Sequence, residues 1–288
     1  MDITLSIITI NYNGLKDTCE LIESLPLGSP SMEVIVVDNA SKEDEASIIE
    51  HRYPNIRVIR SNKHLGFAGG NNLGIKAARG KYLFFINNDT LLSHQPSAID
   101  SLISRLESDE KIGMVCPKIR FSWDNNPIQF AGYTPLSRFT MRNRSIGFGE
   151  TDKGQYETPH PTPYAHGAAM MVKREVLEKV GFMPECYFLY YEELDWSMMF
   201  TRAGYSIWYE PTCTIYHKES QATGQNSPLK VYYLTRNRLL FVKRNKKGYA
   251  KYITYAYLIC MVAPRDILKY ILKGEFKLVL SVIKGIIK

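Results

Sequence analysis

The chain predicts an α/β fold: a mostly parallel central sheet flanked by helices, with a C-terminal helical, basic amphipathic extension. Three observations carry this. Short apolar runs alternate with helix-patterned segments early in the chain. The best of those runs, Val34-Ile35-Val36-Val37, is continuously apolar, as strands covered on both faces are. The positive charge is gathered at one end: residues 229–288 hold 14 Lys and Arg against 2 Asp and Glu, whereas residues 1–228 hold 22 against 27.

Taken in order, Leu5 to Ile10 reads as a strand, Leu15 to Leu25 as a helix and Glu33 to Val37 as a strand. A helix over Lys42 to His51, a weaker strand over Arg57 to Ile59, a helix over Asn71 to Ala78 and a strand over Tyr82 to Ile86 follow. Strands that alternate with helices imply parallel βαβ units. Residues 121–163 have little periodicity and read as loops and short strands over a site. Gly167 to Val172 resumes a buried strand, and Arg174 to Val180 a helix. A helix begins near Tyr232, and the apolar stretch Tyr252 to Ala263 is too short to span a bilayer. The division is a catalytic domain over 1–228 and a helical extension over 229–288.

With 45% hydrophobic and 23% charged residues, the 288-residue chain is not a disordered one. Its five cysteines are scattered without a C-x-x-C pair, which argues against a disulfide framework or zinc ribbon and for a reducing compartment. The first strand follows the start at once, so no signal peptide is expected, and no run of about 18 apolar residues predicts a membrane span.

In parallel sheets a ligand sits beyond the carboxyl ends of the strands. Those ends are polar here: Asn11-Tyr12-Asn13, Asp38-Asn39 and Asn87-Asn88-Asp89. Asp38 can accept from a base N–H or a ribose hydroxyl, or can cap a helix. Gly66 to Gly74 reads as a Gly-rich loop entering a helix, suited to a phosphate or to a plain turn. Oxygen ligands at Asn87, Asn88 and Asp89 suit Mg²⁺ or Mn²⁺ on a diphosphate, though Asn/Asp turns are common. Glu192-Glu193-Leu194-Asp195 packs three carboxylates into four residues, fit for a general base or a solvated helix start. On a helix Glu192 and Asp195 should share a face, with Glu193 pointing elsewhere. His217 ends another strand-like run, Thr214-Ile215-Tyr216, and imidazole is a common metal ligand.

Together these pieces resemble the inverting family 2 glycosyltransferases of the GT-A fold, closest to the bacterial rhamnosyltransferase and polysaccharide-assembly subgroup. The match runs from Ser6-Ile7-Ile8-Thr9-Ile10-Asn11-Tyr12-Asn13 through Val36-Val37-Asp38-Asn39-Ala40-Ser41, Gly66 to Gly74, Asn87-Asn88-Asp89 and Gly167-Ala168 to Tyr191-Glu192-Glu193-Leu194-Asp195-Trp196 and His217. The resemblance implies that Ile10, Asn11, Tyr12 and Asp38 hold the nucleotide. It places Asn71 and Asn72 near the diphosphate or ribose, with Asn87, Asn88 and Gly167 on the nucleotide-sugar. Asp89 matches the last acid of the D-x-D metal motif and His217 its histidine. Asn87 stands where the first acid would be and brings no charge. Glu193 matches the catalytic base with Asp195 its structural companion, and Glu192 is the alternative base. The implied cofactor is a divalent cation, Mn²⁺ or Mg²⁺. The implied donor is a UDP- or dTDP-sugar. The implied acceptor is a lipid-linked saccharide of cell-surface polysaccharide synthesis.

Two rivals are weaker. A nucleotidyltransferase would carry Arg and Lys in a Gly-rich loop after the first strand, where Asn11-Tyr12-Asn13-Gly14 stands. A non-catalytic nucleotide-sugar-binding protein would not need Asp89, Glu193 and His217. In the tail, a single helix would put Lys269, Lys273, Lys277, Lys284 and Lys288 within about 100° of one another. Such a helix suits an anionic membrane surface better than nucleic acid. The expected location is cytoplasmic, peripheral on the inner face of the cell membrane.

Overall fold

The computed structural model describes residues 3–93, 98–219 and 227–287. Four strands, β1 (Leu5–Asn11), β2 (Met32–Asp38), β3 (Arg57–Arg60) and β4 (Tyr82–Ile86), alternate with α1 (Leu15–Ser24), α2 (Glu45–Arg52) and α3 (Gly66–Ala77). They pair in parallel, as the alternation requires. After the short β5 (Thr90–Leu92) come α4 (Ala98–Glu107), β6 (Ile112–Phe121), β7 (Ile128–Phe130), β8 (His160–Pro161), β9 (Ala169–Lys173), α5 (Arg174–Val180), α6 (Glu192–Arg202) and β10 (Ser206–His217). The sheet runs β3-β2-β1-β4-β9-β6-β10-β5, with β7 beside β6 and β8 beside β10.

Beyond β4 the sheet is mixed, which corrects the mostly parallel expectation. β9 lies antiparallel between β4 and β6, β10 is parallel to β6, and β5 is antiparallel on β10. β9 enters after loops and short strands, and an antiparallel partner needs no crossover helix. β6 and most of β10 escape the sequence pattern because each contains proline. β10 carries Pro211 inside a bulge between Glu210 and Thr214.

The Gly-rich segment is not a loop. Gly66 is already the first residue of α3. A Cβ on Gly74 would lie 2.4 Å from Ile8 Cγ2, and one on Gly70 2.8 Å from Ile10 Cδ1. These glycines let the helix press against β1. Gly66 alone needs its freedom for conformation, with φ +72° and the Phe188 carbonyl 2.2 Å from where a Cβ would stand.

The extension consists of α7 (Pro228–Asn245), α8 (Gly248–Tyr257), a π-helical turn (Leu258–Val262), α9 (Ala263–Leu272) and α10 (Phe276–Ile287). The single lysine-faced helix does not form. Gly274, at φ +70°, breaks it between α9 and α10; Lys288 lies outside the described residues. The extension is docked, not dangling: Phe241, Val242, Leu258 and Val262 share a buried cluster with Met141 and Tyr187 of the body. Among the described residues no helix is long and apolar enough to cross a membrane.

Candidate active site

The polar strand ends open into one cavity of about 1180 Å³. Ile10 and Tyr12 line it from the end of β1, Asn71 from α3, and Asn87, Asn88 and Asp89 from the end of β4. Gly167 faces it before β9, Glu192 and Glu193 from the start of α6, and His217 from the end of β10. Four expected residues, Asn11, Asp38, Asn72 and Asp195, do not line it. Asn11 is fully buried and donates to Asp38 Oδ1 (2.9 Å) and Glu45 Oε2 (2.7 Å), while its own Oδ1 accepts from Thr18. Asp38 also accepts from the Ser41 hydroxyl at 2.6 Å. This network ties the ends of β1 and β2 together behind the wall. Asn72 clamps Met183 in both directions, donating to its carbonyl (3.0 Å) and accepting its amide (3.1 Å), and donates to Glu185.

The acidic pair is set up by a strained approach. Phe188, Tyr190 and Tyr191 precede α6 with φ of 68°, 68° and 78°. Left-handed backbone at bulky residues costs about 1–3 kcal/mol each and persists only when neighbours enforce it. The enforcing group is Asn237 of α7. Its buried amide donates to the carbonyls of Tyr187 (2.9 Å), Leu189 (2.7 Å) and Tyr190 (3.0 Å). The extension thus aims the acids.

The sharing of one face by Glu192 and Asp195 is corrected. Glu192 and Glu193 both reach the cavity. Asp195, one turn in, is buried against the extension and accepts from Arg244 Nε (2.5 Å), Asn245 Nδ2 (2.8 Å) and Tyr187 Oη (3.0 Å). Burial pushes the Glu193 carboxyl up to about 7. Burial, then the charge of Glu193, pushes Glu192 well above the carboxylate range. Glu192 Oε2 is buried without a hydrogen-bond partner. Glu192 therefore keeps its proton while Glu193 titrates near neutrality.

On the same cavity's wall His217 Nε2 stands 3.2 Å from Asp89 Oδ1. The other nitrogen, Nδ1, meets Gln129 Oε1 at 2.8 Å. An amide oxygen only accepts, so Nδ1 donates to Gln129, and this bond turns Nε2 toward Asp89. This donor set fits a divalent cation that completes its shell with ligand oxygens and water. Among the described residues no cluster of three or more His, Cys, Asp or Glu is gathered for a metal. Asn87 lines the same wall, its backbone amide held by the Ala168 carbonyl at 2.9 Å.

Sequence reasoning missed several lining residues. His166 stacks near Tyr133 (6.1 Å, 11°), and its ring lies 6.4 Å from that of His217. Burial, then His217, holds its imidazole down to about 3, so it stays neutral. A histidine directly before the small-residue start of a buried strand was the available signal. Trp123, Gln129 and Lys230 come from aperiodic or remote segments and left none.

A strand-end cavity on this sheet, lined by an acid pair and an Asp–His pair, is the arrangement expected of a GT-A glycosyltransferase. The fold is similar to that of GalNAc-T7 crystallised with UDP, GalNAc and Mn²⁺, with TM-score 0.62 and 14% identity over 93% of this chain and 58% of that one. Residues 6–181 match the Glycosyl transferase family 2 domain, and the chain belongs to that family. It is 28% identical over 243 residues to the low-salt glycan biosynthesis hexosyltransferase Agl10 of Haloferax volcanii, covering 82% of this chain and 74% of that protein. It is 23% identical over 244 residues to the N-acetylglucosaminyl-diphospho-decaprenol L-rhamnosyltransferase of Mycobacterium tuberculosis, covering 77% and 78%. The protein is an enzyme of sugar transfer.

Proposed function

We propose that the enzyme is an inverting transferase moving a sugar from UDP or dTDP to a saccharide hydroxyl, with Glu193 as base. The observation that carries this is the convergence of the Glu193 carboxyl and the Asp89–His217 pair on one cavity. Glu193 takes the acceptor's proton as its oxygen bonds to the anomeric carbon from the far side. The bond to the diphosphate breaks, and its electron pair leaves with the diphosphate oxygen. Asp89 and His217, with Asn87 beside them, would hold Mn²⁺ or Mg²⁺, which neutralises charge on the leaving diphosphate. Glu192, protonated, can donate a hydrogen bond to a substrate oxygen. Ile10, Tyr12 and Asn71 hold the nucleotide end, with Asn11 and Asp38 bracing them. Gly167 lies beside Glu193, whose Cγ is 3.7 Å from where a Cβ on Gly167 would stand.

The acceptor is a lipid-linked saccharide of cell-surface polysaccharide synthesis, reached from the cytoplasmic face. The rhamnosyltransferase relative, whose name includes a diphospho-decaprenol-linked sugar, supports this. Donor hydrolysis against UDP-, dTDP- and GDP-sugars, with Mn²⁺ or EDTA, tests the reading. Metal-dependent release of one nucleotide is expected. In Glu193→Gln the rate should fall about 10²–10⁴-fold, with the nucleotide-induced thermal shift retained. Metal-independent release, or an unimpaired Glu193→Gln, refutes it.

A further inference from the structure

The extension wears its apolar residues on the outside. From α8 through the π-helical turn to α9 the helical path is unbroken from Gly248 to Leu272. Along it the exposed positions Tyr249, Tyr252, Ile253, Ala256 and Ile259 recur at helical spacing, and Met261 is exposed beside them. In α10 the exposed positions Phe276, Leu280, Ile283 and Ile287 form a second stripe spaced four, three and four residues apart. The inward positions are smaller in number. Ala263 of α9 and Leu278 and Val282 of α10 pack with Val231 of α7. Each helix therefore turns an apolar side away from the body. Tyr252 is 73% exposed, Leu272 78% and Ile287 79%.

Contiguous apolar surface of this kind marks a docking face. Its charge identifies the occupant. Residues 248–287 carry 6 basic side chains, Lys251, Arg265, Lys269, Lys273, Lys277 and Lys284, and 2 acidic ones, Asp266 and Glu275. Lys269, Lys273, Lys277 and Lys284, all exposed, sit among the stripes. A second copy joined through this face by a two-fold axis would set that positive charge against itself. A surface with apolar depth and negative headgroups satisfies both features.

We propose that the α8–α10 face seats the enzyme in the interface of an anionic bilayer, the stripes among the acyl chains and the lysines at the headgroups. The face differs from the single lysine helix expected from sequence: it is built from two helical segments fixed on α7. α7 also sends Leu229 and Lys230 into the cavity wall. Docking there would place the cleft's rim beside the membrane that carries the acceptor. This rests on the reading of a lipid-linked acceptor only for its purpose, since vesicle binding is measured without turnover.

The test is flotation of the full chain with vesicles of phosphatidylcholine alone or mixed with phosphatidylglycerol. The chain should float with the mixed vesicles and largely lose them in high salt. Replacing four apolar residues together (Tyr252→Ser, Leu272→Ser, Phe276→Ser, Ile287→Ser) should weaken partition at least about tenfold. Lys269→Glu, Lys273→Glu and Lys277→Glu together should weaken it by about fivefold or more per lysine. Both variants alter exposed side chains, so circular dichroism and the thermal midpoint should match the parent. A parent that stays unbound with mixed vesicles overturns the proposal, as does undiminished binding by both folded variants. A dimer in sedimentation equilibrium that the apolar variant abolishes, without vesicle binding, assigns the face to a second copy instead. None of these outcomes touches the Glu193 assignment, which stands or falls on hydrolysis.

Discussion

Two desolvated carboxyls side by side cannot both ionise cheaply, and this divides the work of Glu192 and Glu193. A base whose carboxyl titrates at about 7 is half ready at neutral pH. The transfer rate should therefore rise with pH and level off above about 7, and a flat profile from about pH 5 to 8 would rule Glu193 out as the base. Stability runs the other way. Both groups hold protons more tightly folded than unfolded, where a glutamate titrates at 4.5. Their contribution is fully present below that value and is lost as pH rises through the folded pKa. Melting curves should thus show the parent losing stability from about pH 5 to 8 more steeply than Glu192→Gln. At the proposed metal pair, Gln129→Leu removes the acceptor that orients His217. Half-maximal activity should then need about 10–100-fold more Mn²⁺, the range typical of ligand-orienting partners. An unchanged Mn²⁺ titration would place the cation elsewhere.

At the scale of elements, α7 and the turn before α6 form one device. Three left-handed aromatic residues aim the acids, and Asn237 holds three of the surrounding carbonyls. Asn237→Ala leaves those carbonyls without their donor in a buried place. The loss should be about 2–4 kcal/mol in urea unfolding, from unsatisfied buried groups at about 1–3 kcal/mol each with partial relaxation. Activity should fall further than stability, because the relaxed turn no longer points Glu193 into the cavity. Equal activity per folded molecule would show that the turn keeps its shape without Asn237.

For the whole molecule, the boundary near residue 228 separates two sequence characters but not two independent bodies. Asp195 of the body is buried and neutralised by Arg244 of the extension at 2.5 Å. Tyr187 packs with Phe241 and Val242. A chain ending at residue 228 would bury Asp195 without its cation, or expose the cluster, and either is strongly destabilising. Such a fragment should aggregate or unfold without a cooperative transition. A soluble fragment with a sharp melt and intact donor hydrolysis would show that 1–228 folds alone.

Local pattern alone determined the N-terminal half of this protein. Periodicity marked β1 to β4 and their helices because each βαβ unit buries its own strand, so hydrophobicity and chain order carry the same information. It also brought Asp89 and His217 to notice, since polar residues directly after apolar runs fall at strand ends, and Glu193 through its crowding with Glu192 and Asp195. What sequence could not reveal depends on partners far apart in the chain. Whether Asn11 faces a ligand or a network depends on Thr18, Asp38 and Glu45. Whether Gly70 and Gly74 cradle phosphate or admit a helix depends on Ile8 and Ile10. That Glu192 joins Glu193 in the cavity while Asp195 turns to the extension depends on a strained turn held by α7. Only the folded packing decides such matters, because the free energy of a polar or small residue is set by what lies against it, not by its neighbours in sequence.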